Sequence, residues 1–500
     1  MILYVRDSRE RRVIDTVTVA AFLFGCFVFG ILAVRTTVYG LLLIGALFCL
    51  VLYWVKPQIM VSVALFLSFA ALPEGLHIGK VFGPIPVYAY HVALILALCY
   101  LIPIVRPQLS MFRLPAMFVL TILFFTQVGL AADNAVDRVV HEAMYMLELV
   151  VGVVLALLIV YADYIKGTLY AVGATMWFSA GMVIAGSFHS IQLAGRSESM
   201  ADMAGAVDTN RIITTAETPA IAVLTTLVAL QILGRGRAAA WLVFFPPAMI
   251  VTALTFARST LLAVGVAAAI AILTSMNWST LRRTGQLLLL GAALLAVTLP
   301  AALFLLQHSE AGVWLGNQIV GYNNRVLGGV STDALAVDES TLDRLRENAK
   351  LNRAISEAPL FGHGLGYAYQ MPFGNDPNWF TATLGTTYAH NFYLWWLCKS
   401  GAVGMAAFAW FALTPLIRGL RSASALAKAG AAVSIGLLVI CNVAPLPEEP
   451  ASALVLGMAL GSALAFANLD RAQRRDHAAD APNETDSQQL STPVGVCGAA

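Results

Sequence analysis

Charged side chains are scarce in this chain of 500 residues. Its 30 lysines and arginines and 28 aspartates and glutamates make up 12% of the sequence, whereas a soluble globular protein carries about 25%. Hydrophobic residues make up 59%, and a chain this long with so little charge cannot keep a folded surface hydrated. The composition excludes a soluble enzyme and predicts a protein that crosses a membrane many times.

Signals for cofactors and for nucleic acid are also missing. The net charge is only +2, and no basic run or face indicates nucleic-acid binding. Neither a Walker A sequence nor an HExxH zinc pattern occurs. The six cysteines have no metal-ligand spacing, and five lie in or at apolar segments, where packing is their expected role. We therefore expect no cofactor, no metal and no nucleic-acid partner.

Long apolar runs fill most of the chain. A transmembrane helix needs about 20 mostly apolar residues, and this criterion predicts an all-α polytopic integral membrane protein with about 14 transmembrane helices. Twelve crossings are the alternative, because several runs are short and some neighbours are separated by only three residues. The predicted spans are 13–34, 38–55, 58–73, 86–105, 114–132, 143–162, 167–187, 218–234, 238–256, 259–275, 286–306, 391–417, 425–445 and 451–467.

The basic residues predict the orientation of these spans. Arg6, Arg9, Arg11 and Arg12 precede the first span, which places the N-terminus in the cytoplasm by the positive-inside rule. Fourteen crossings then put 18 of the 30 cations inside, so both termini are expected to be cytoplasmic. The first apolar run is too long for a signal peptide and is expected to be retained. Residues 468–500 are polar and poor in aromatics, which predicts a disordered cytoplasmic tail.

Two polar segments on the outer side, 188–217 and 307–389, are too long to be simple connections. Within the second, 340–356 is predicted to be helical, because Leu342 and Leu345 begin an apolar pattern of helical spacing. The chain is accordingly divided into four parts. They are the N-terminal transmembrane helices (1–187), a core with the long outer loop (188–420), the C-terminal transmembrane helices (421–467) and the tail (468–500).

His390 begins the helix that follows the long outer loop. An imidazole at a helix N-terminus feels the positive end of the helix dipole, which favours its neutral, basic form. A general base near neutral pH requires that form. The alternative is an interfacial histidine that only caps the helix.

Three arginines on the outer side also need an explanation. Arg258 lies in a three-residue link between two apolar spans, where the positive-inside bias disfavours a cation. Arg196 and Arg211 lie in the first outer segment. Guanidinium groups bind phosphate bidentately, so convergence of these arginines would suit a diphosphate. The alternatives are contact with lipid phosphate and pairing with nearby acids such as Glu217.

Glu148 lies about one turn inside the outer end of its span. An intramembrane carboxylate is costly and is usually paired. We therefore expect Glu148 to brace one of the outer arginines. In a transporter the same carboxylate would be a proton site.

Taken in order, these features resemble the bacterial O-antigen ligase and O-antigen polymerase superfamily, with its Wzy-type C-terminal domain. The link 257–259, read Ala-Arg-Ser, is similar to the family's Ser-Arg-Gly link between consecutive spans. The stretch EAPLFGHGLGYAY (357–369) is similar to its Pro-Leu-hydrophobic-Gly-x-Gly-hydrophobic-Gly pattern. HNFYLWWLCKSGAVG (390–404) is similar to its His-Asn-x-x-Leu-x-x-Leu pattern followed by Gly-x-x-Gly, and GRSESMADMAGAVDTN (195–210) to an arginine-containing segment before a span.

The resemblance covers residues 190–420 best, and Lys399 departs from it because the family usually carries an acidic residue there. It implies a metal-independent, GT-C type glycosyltransferase of the bacterial cytoplasmic (inner) membrane, with a large, partly helical outer loop. The donor would be a glycan on undecaprenyl diphosphate. The acceptor would be a hydroxyl of a glycan, a lipid or a protein on the periplasmic or outer face, in the making of lipopolysaccharide or exopolysaccharide for the cell envelope.

The resemblance also implies roles for the candidate residues. His390 would take the proton of the acceptor hydroxyl, and Arg258 with Arg196 or Arg211 would hold the departing diphosphate. The supporting residues in this hypothesis are Asn391, Glu148 and Glu217.

Two alternatives stay open from the sequence. A polymerase passes the glycan to another lipid-linked repeat unit, whereas a ligase passes it to a lipid core or a protein. Outside the family, a polytopic transporter or a lipid-linked oligosaccharide flippase would also span the membrane many times. A transporter is expected to carry broken helices and ionisable groups near the midplane, whereas the polar candidates here lie near the outer ends of the spans.

Overall fold

The fold of the chain comes from a computed structural model. The structure describes residues 37–74, 79–82, 85–188, 191–199, 209–306, 308–327, 339–370 and 386–480. The first predicted span, 13–34, lies outside these ranges. The described chain is mostly helical, as its apolar runs predict.

Each predicted span from 38–55 onward contains a helix. The helices are α1 (Thr37–Val55), α2 (Ile59–Phe69), α3 (Ala89–Val105), α4 (Arg113–Ala131), α5 (Val136–Tyr161), α6 (Ile165–Ser187), α7 (Glu217–Ile232), α8 (Ala238–Leu254), α9 (Arg258–Thr274), α10 (Trp278–Leu306), α11 (Glu310–Tyr322), α12 (Glu339–Glu357), α13 (Phe392–Arg421), α14 (Ala425–Ile440) and α15 (Pro450–Asp480). Short 3-10 turns cover Leu109–Phe112 and Leu446–Glu448, and a π-helical turn covers Asn323–Leu327.

Length and composition limit how many of these helices qualify as membrane spans. Within the described ranges, 6 helices are long and apolar enough to cross a membrane, and the shorter apolar helices have 10–17 residues. The six are Leu109–Ala131, Val136–Tyr161, Ile165–Ser187, Trp278–Ala302, Phe392–Arg421 and Ala451–Arg475. The prediction of a helical membrane protein is confirmed, whereas the predicted count of fourteen spans is not.

The helix directions bring the candidate residues to one end of the bundle. The Phe392 N–H at the start of α13 donates to the Cys441 carbonyl oxygen at the end of α14 (2.9 Å). At the opposite end, Lys428 in the first turn of α14 donates to the Thr274 carbonyl oxygen at the end of α9 (3.1 Å). Since α9 begins at Arg258, that arginine lies at the same end as the start of α13. We call this the His390 end.

Helices α5 and α15 pack against each other with little space between their backbones. A Cβ on Gly457 would overlap the carbonyl oxygen of Leu149, and one on Gly461 would meet the carbonyl oxygen of Val153 at 2.5 Å. Small residues permit such close approach, which strengthens van der Waals contact between helices in a membrane. This pair fixes α15, and therefore the residues just before it, against the bundle.

Two β-hairpins interrupt the helical fold, and the all-α prediction did not include them. The first pairs β1 (Gly79–Phe82) with β2 (Ile85–Tyr88), and the second pairs β3 (Arg196–Ser199) with β4 (Asn210–Ile213). Both are antiparallel. The second hairpin lies in the predicted outer segment 188–217.

The predicted helix at 340–356 is confirmed as α12, and the leucines of its apolar pattern are exposed. Leu342 is 39% exposed and Leu345 is 59% exposed. The buried face instead contains Glu347 and Leu351, which lie one turn apart. Burial of a glutamate on that face indicates a specific partner rather than packing alone.

The C-terminal tail also differs from its prediction. Helix α15 continues to Asp480, so the first part of the segment 468–500 extends the last helix. Residues 481–500 lie outside the described ranges.

Candidate functional site

Glu347 of α12 binds His390 through two hydrogen bonds. The His390 backbone N–H donates to Glu347 Oε1 (2.5 Å), and His390 Nδ1 lies 2.8 Å from Glu347 Oε2. Because an ionised carboxylate can only accept, the second bond places the proton on Nδ1 and leaves Nε2 as the basic nitrogen. The histidine side chain is 37% exposed and that of Glu347 is 11% exposed. The arrangement orients an accessible imidazole with a buried carboxylate.

Asn391, rather than His390, caps α13. Its side-chain oxygen accepts from the N–H groups of Tyr393 (3.1 Å) and Leu394 (3.2 Å). This is the arrangement expected of an N-cap asparagine. The alternative of His390 as a simple helix cap is therefore wrong, and the imidazole is available for another role.

Two consecutive glutamates before α15 lie beside the histidine. Glu448 Oε2 accepts from the Ala389 N–H (3.2 Å), and Glu448 Oε1 is buried with no hydrogen-bond partner among the described residues. Burial raises the pKa of Glu448 well above its ordinary value. Burial also raises the pKa of Glu449, although the Ser452 hydroxyl and His390 oppose this effect. Neither glutamate was among the residues predicted from the sequence.

Tyrosines complete the surroundings of the histidine. The Tyr388 ring lies edge-on to the imidazole at 5.4 Å between centroids. The Tyr369 hydroxyl donates to the Tyr388 carbonyl oxygen (2.6 Å), which ties the end of the glycine-rich stretch to the residues that enter α13. Burial raises the pKa of Tyr388 well above its ordinary value, so its hydroxyl keeps its proton.

Arg211 and Arg258 meet around the link between α8 and α9. Arg211 Nε donates to the Thr255 carbonyl oxygen (2.8 Å), three residues before Arg258 in the chain. Arg258 Nε donates to the Arg325 carbonyl oxygen (2.8 Å). Phe256, between them, has φ +48°, so the backbone turns sharply at the link. The structure thus brings two of the three predicted arginines to one place.

The pKa of Glu217 is affected both by an arginine of the pair and by a carboxylate beside the histidine. Burial raises its pKa to about 7, while Arg211 acts to lower it and Glu449 acts to raise it. The neighbouring Thr218 hydroxyl lies 2.8 Å from the Ser452 hydroxyl, which joins the start of α7 to the start of α15. The arginine pair and the His390 cluster therefore share this end of the bundle, and charges of both groups affect the pKa of Glu217.

Arg196 is placed differently from the other two arginines. It lies on β3 opposite Ile213, while Arg211 of the partner strand lies opposite Glu198. Arg196 is exposed, whereas Arg211 is half-buried. Its backbone position therefore belongs to the β3–β4 hairpin rather than to the link between α8 and α9.

Glu148 does not brace an arginine, and that expectation is wrong. Its Oε1 accepts from the Tyr90 hydroxyl (2.8 Å) and lies 2.8 Å from His91 Nε2. The Tyr88 N–H donates to His91 Nδ1 (3.1 Å), which leaves the proton on Nε2 to bond the carboxylate. The partners of this carboxylate come from α3 rather than from the segments that carry the arginines. Helix α5, which contains Glu148, packs beside α3.

The buried ion pair between Lys399 and Glu142 was not predicted from the sequence. Lys399 of α13 donates to Glu142 Oε1 of α5 (2.7 Å) and to the Tyr367 carbonyl oxygen (2.6 Å). Glu142 Oε2 accepts from the Gly366 N–H (2.6 Å). The signal was present, since Lys399 departs from the family's acidic residue and a lysine inside a span requires a partner.

The glycine-rich stretch fits between helices because its glycines lack a Cβ. Gly364 has φ +79°, and a Cβ there would overlap the backbone of Gly129. Its N–H donates to the Lys399 carbonyl oxygen (2.9 Å), and the Leu365 N–H donates to the Phe125 carbonyl oxygen (3.2 Å). The glycine-rich stretch thus contacts α4, α5 and α13 and holds these three helices together.

Comparison with known proteins gives a family match for part of the chain. Residues 238–409 match the model of a family described as O-antigen ligase, which confirms the resemblance to the O-antigen ligase and polymerase superfamily. No curated protein matches the chain. The matched segment contains Arg258, Glu347 and His390, whereas Arg211 and Glu449 lie outside it. The match supports a membrane glycosyltransferase of the O-antigen ligase or polymerase type in broad terms.

Proposed function

We propose that the protein transfers a glycan from undecaprenyl diphosphate to an acceptor hydroxyl at the His390 end of the bundle. The observation that carries this proposal is the bidentate contact between Glu347 and His390, which lies within the matched family segment. The resemblance to the family implies a metal-independent GT-C type reaction, and we propose that it takes place on the outer face of the bacterial inner membrane.

The proposed reaction requires a base and a cationic site for the leaving group. His390 Nε2 takes the proton of the acceptor hydroxyl, whose oxygen attacks the anomeric carbon of the donor sugar. Glu347 holds the imidazole in the required tautomer and stabilises the imidazolium that forms. The bond from that carbon to the diphosphate oxygen breaks, and undecaprenyl diphosphate leaves with the bonding electron pair.

Arg258 and Arg211 are proposed to stabilise the charge that develops on the leaving diphosphate. Fixed guanidinium groups serve this purpose well because they need little reorganisation as the charge appears. The Nε anchors of both arginines on backbone carbonyl groups fix their stems. Arg196 remains a further candidate for the same role, reaching in from the outer hairpin.

The test is a transfer assay with purified full-length protein, a lipid-diphosphate glycan donor and separate candidate acceptors. Release of undecaprenyl diphosphate is measured for the native chain, for His390→Ala and for His308→Ala, whose histidine is exposed in the same outer loop. General-base assistance contributes roughly 10²–10⁴-fold, so His390→Ala should lose activity by that factor while His308→Ala keeps it. Equal rates for all three proteins would exclude His390 as the base.

The acceptor that supports release distinguishes ligase from polymerase. A second lipid-linked repeat unit as acceptor indicates a polymerase, and a lipid core or protein hydroxyl indicates a ligase. If no acceptor supports release, transport of the lipid-linked glycan becomes the better explanation, and movement of a fluorescent donor across vesicles would then be measured.

A further inference from the structure

A basic cleft lies at the end of the bundle opposite to His390. It has a volume of about 770 Å³ and lies between the ends of α13 and α15. Its cationic lining is formed by Arg418 and Arg421 of α13 and by Arg471, Arg474 and Arg475 of α15. Because α13 begins two residues after His390 and ends at Arg421, the cleft is one helix length away from the proposed catalytic cluster.

The cleft has more positive charge than its own residues neutralise. Asp470, the one acidic residue among the described residues that line the cleft, forms an ion pair with Arg474 and also accepts from the Ser422 hydroxyl (2.6 Å) and the Ala423 N–H (3.0 Å). The carboxylate therefore fixes the junction between α13 and α14 to α15. The other four arginines have no ion pair with any described residue.

The depth of the cleft corresponds to the headgroup region of a membrane. The apolar part of α15 begins at Ala451, and the twenty residues to Asp470 rise about 30 Å at 1.5 Å per residue, which is roughly the hydrocarbon thickness of a bilayer. Arg471 follows directly, and Arg475 follows about one turn after it. Their guanidinium groups consequently lie at the level of lipid phosphates.

One wall of the cleft is apolar and leads into the hydrocarbon region. Trp410, Leu413 and Ile417 line it along α13, and their side chains are exposed. Leu413 and Ile417 also line an adjoining groove of about 450 Å³ between α13 and α14. A ligand with an anionic head and an aliphatic tail can thus contact the arginines and this wall at the same time.

We propose that the cleft binds the headgroup of an anionic phospholipid, with its acyl chain along the apolar wall. The charge of the four arginines complements the phosphate, and guanidinium groups are suited to bidentate contact with phosphate oxygens. A free phosphate or diphosphate would satisfy the arginines but leave the wall without a partner. A lipid with two phosphates should bind more tightly than one with a single phosphate, because four guanidinium groups are available.

General attraction to a negative membrane surface is a separate effect. Arg235 and Arg237 lie at the same end of the bundle and are exposed, yet they do not line the cleft. They provide a matched control, because their loss changes the total charge at this end by the same amount.

The experiment measures lipid binding to the full-length protein in detergent by native mass spectrometry. The probes are cardiolipin, phosphatidylglycerol, phosphatidylcholine, inorganic pyrophosphate and a polyprenyl diphosphate. The proteins are the native chain, Arg418→Gln/Arg471→Gln and the control Arg235→Gln/Arg237→Gln. Thermal unfolding in phosphatidylcholine verifies that the variants fold.

The native chain should bind cardiolipin most tightly, then phosphatidylglycerol, with little binding of phosphatidylcholine or pyrophosphate. Loss of one arginine at a membrane surface should weaken lipid binding by about fivefold. The cleft variant should therefore bind cardiolipin about 25-fold more weakly, and the control should keep the native affinity.

Three results would overturn the proposal. Equal losses of cardiolipin affinity in the cleft variant and in the control would show that the lipid binds by non-specific attraction to surface charge. Unchanged affinity in the cleft variant would show that the lipid binds elsewhere. Binding of pyrophosphate or polyprenyl diphosphate in preference to phospholipid would assign the cleft to a different ligand. None of these results depends on whether the chain transfers glycans.

Discussion

The carboxylate of Glu347 contacts both the backbone N–H and the Nδ1 atom of His390, at 2.5 and 2.8 Å. One side chain on helix α12 thereby fixes both the main-chain position and the ring orientation of the histidine. This dual contact makes α12 part of the proposed catalytic site rather than a cover over it. It also separates the role of Glu347, which positions the base, from the role of His390, which is proposed to contact the substrate.

Replacement of Glu347 by Gln should slow transfer without abolishing it. The amide cannot stabilise an imidazolium, so we expect kcat to fall roughly 10- to 100-fold, less than the roughly 10²–10⁴-fold loss from His390→Ala. The pH profile should also change, which a merely structural role would not produce. Steady-state rates between pH 5 and 9 for Glu347→Gln and Glu347→Asp test this, with partial recovery expected in the aspartate variant. A native pH profile in Glu347→Gln would contradict the proposed positioning role.

Substitution of the arginines at the link between α8 and α9 should slow departure of the diphosphate more than it weakens binding of the acceptor. Arg258→Lys and Arg211→Lys keep the charge but lose bidentate geometry, and we expect kcat to fall by about 10²-fold, the size of one oxyanion-type contact. Arg196→Lys, on the exposed hairpin, should have a smaller effect. The measurement is kcat and KM for the donor at saturating acceptor. A larger loss in Arg196→Lys than in the other two would reassign the diphosphate site to the hairpin.

Glu217 should make the stability of the protein depend on pH. Burial raises its folded-state pKa to about 7, above the ordinary value near 4.3. The folded state therefore holds a proton that the unfolded state releases, and the stability from this group is lost as the pH rises through about 7.

The variant Glu217→Gln should remove this pH dependence. Its Tm should exceed that of the native chain at pH 8 by about 1–3 °C and match it near pH 4.5. Thermal unfolding in detergent across this range provides the measurement, with Glu310→Gln, at an exposed glutamate, as the control. A constant difference between Glu217→Gln and the native chain at all pH values would exclude titration of Glu217 as the cause.

The buried pair of Lys399 and Glu142 should matter more when one partner is lost than when both are replaced. Lys399→Met leaves a buried carboxylate without its cation, which typically costs roughly 3–5 kcal/mol. The double variant Lys399→Met/Glu142→Gln removes both charges and should recover much of the loss. Retention of the folded peak in size-exclusion chromatography after heating measures this. Lys166→Met, at an exposed lysine, should behave like the native chain, and a double variant weaker than the single one would contradict the prediction.

Parts of the site could be predicted because their signals are local in the chain. Arg258 was noticed because a cation is unusual in a short outer link, and His390 because it precedes a long apolar helix. Both inferences use only neighbouring residues. The helix at 340–356 was also found from its local pattern, although the leucines that suggested the helix are exposed.

Other parts depend on contacts between distant residues. Glu347 is 43 residues from His390, and no local pattern marks it apart from its place one turn before Leu351. Glu448 and Glu449 reach the histidine only because α15 packs closely on α5 through Gly457. Glu148 was expected beside an arginine, but the packing of α3 on α5 gives it Tyr90 and His91 instead.

The sequence by itself determined that this protein belongs in a membrane and which superfamily it resembles. Scarce charge and long apolar runs are sufficient for the first conclusion, because transfer from water to lipid depends on the composition of each segment and little on its partners. Tertiary structure alone decided which polar groups meet. Those meetings depend on helix packing, and they separate the proposed catalytic cluster at one end from the basic cleft at the other.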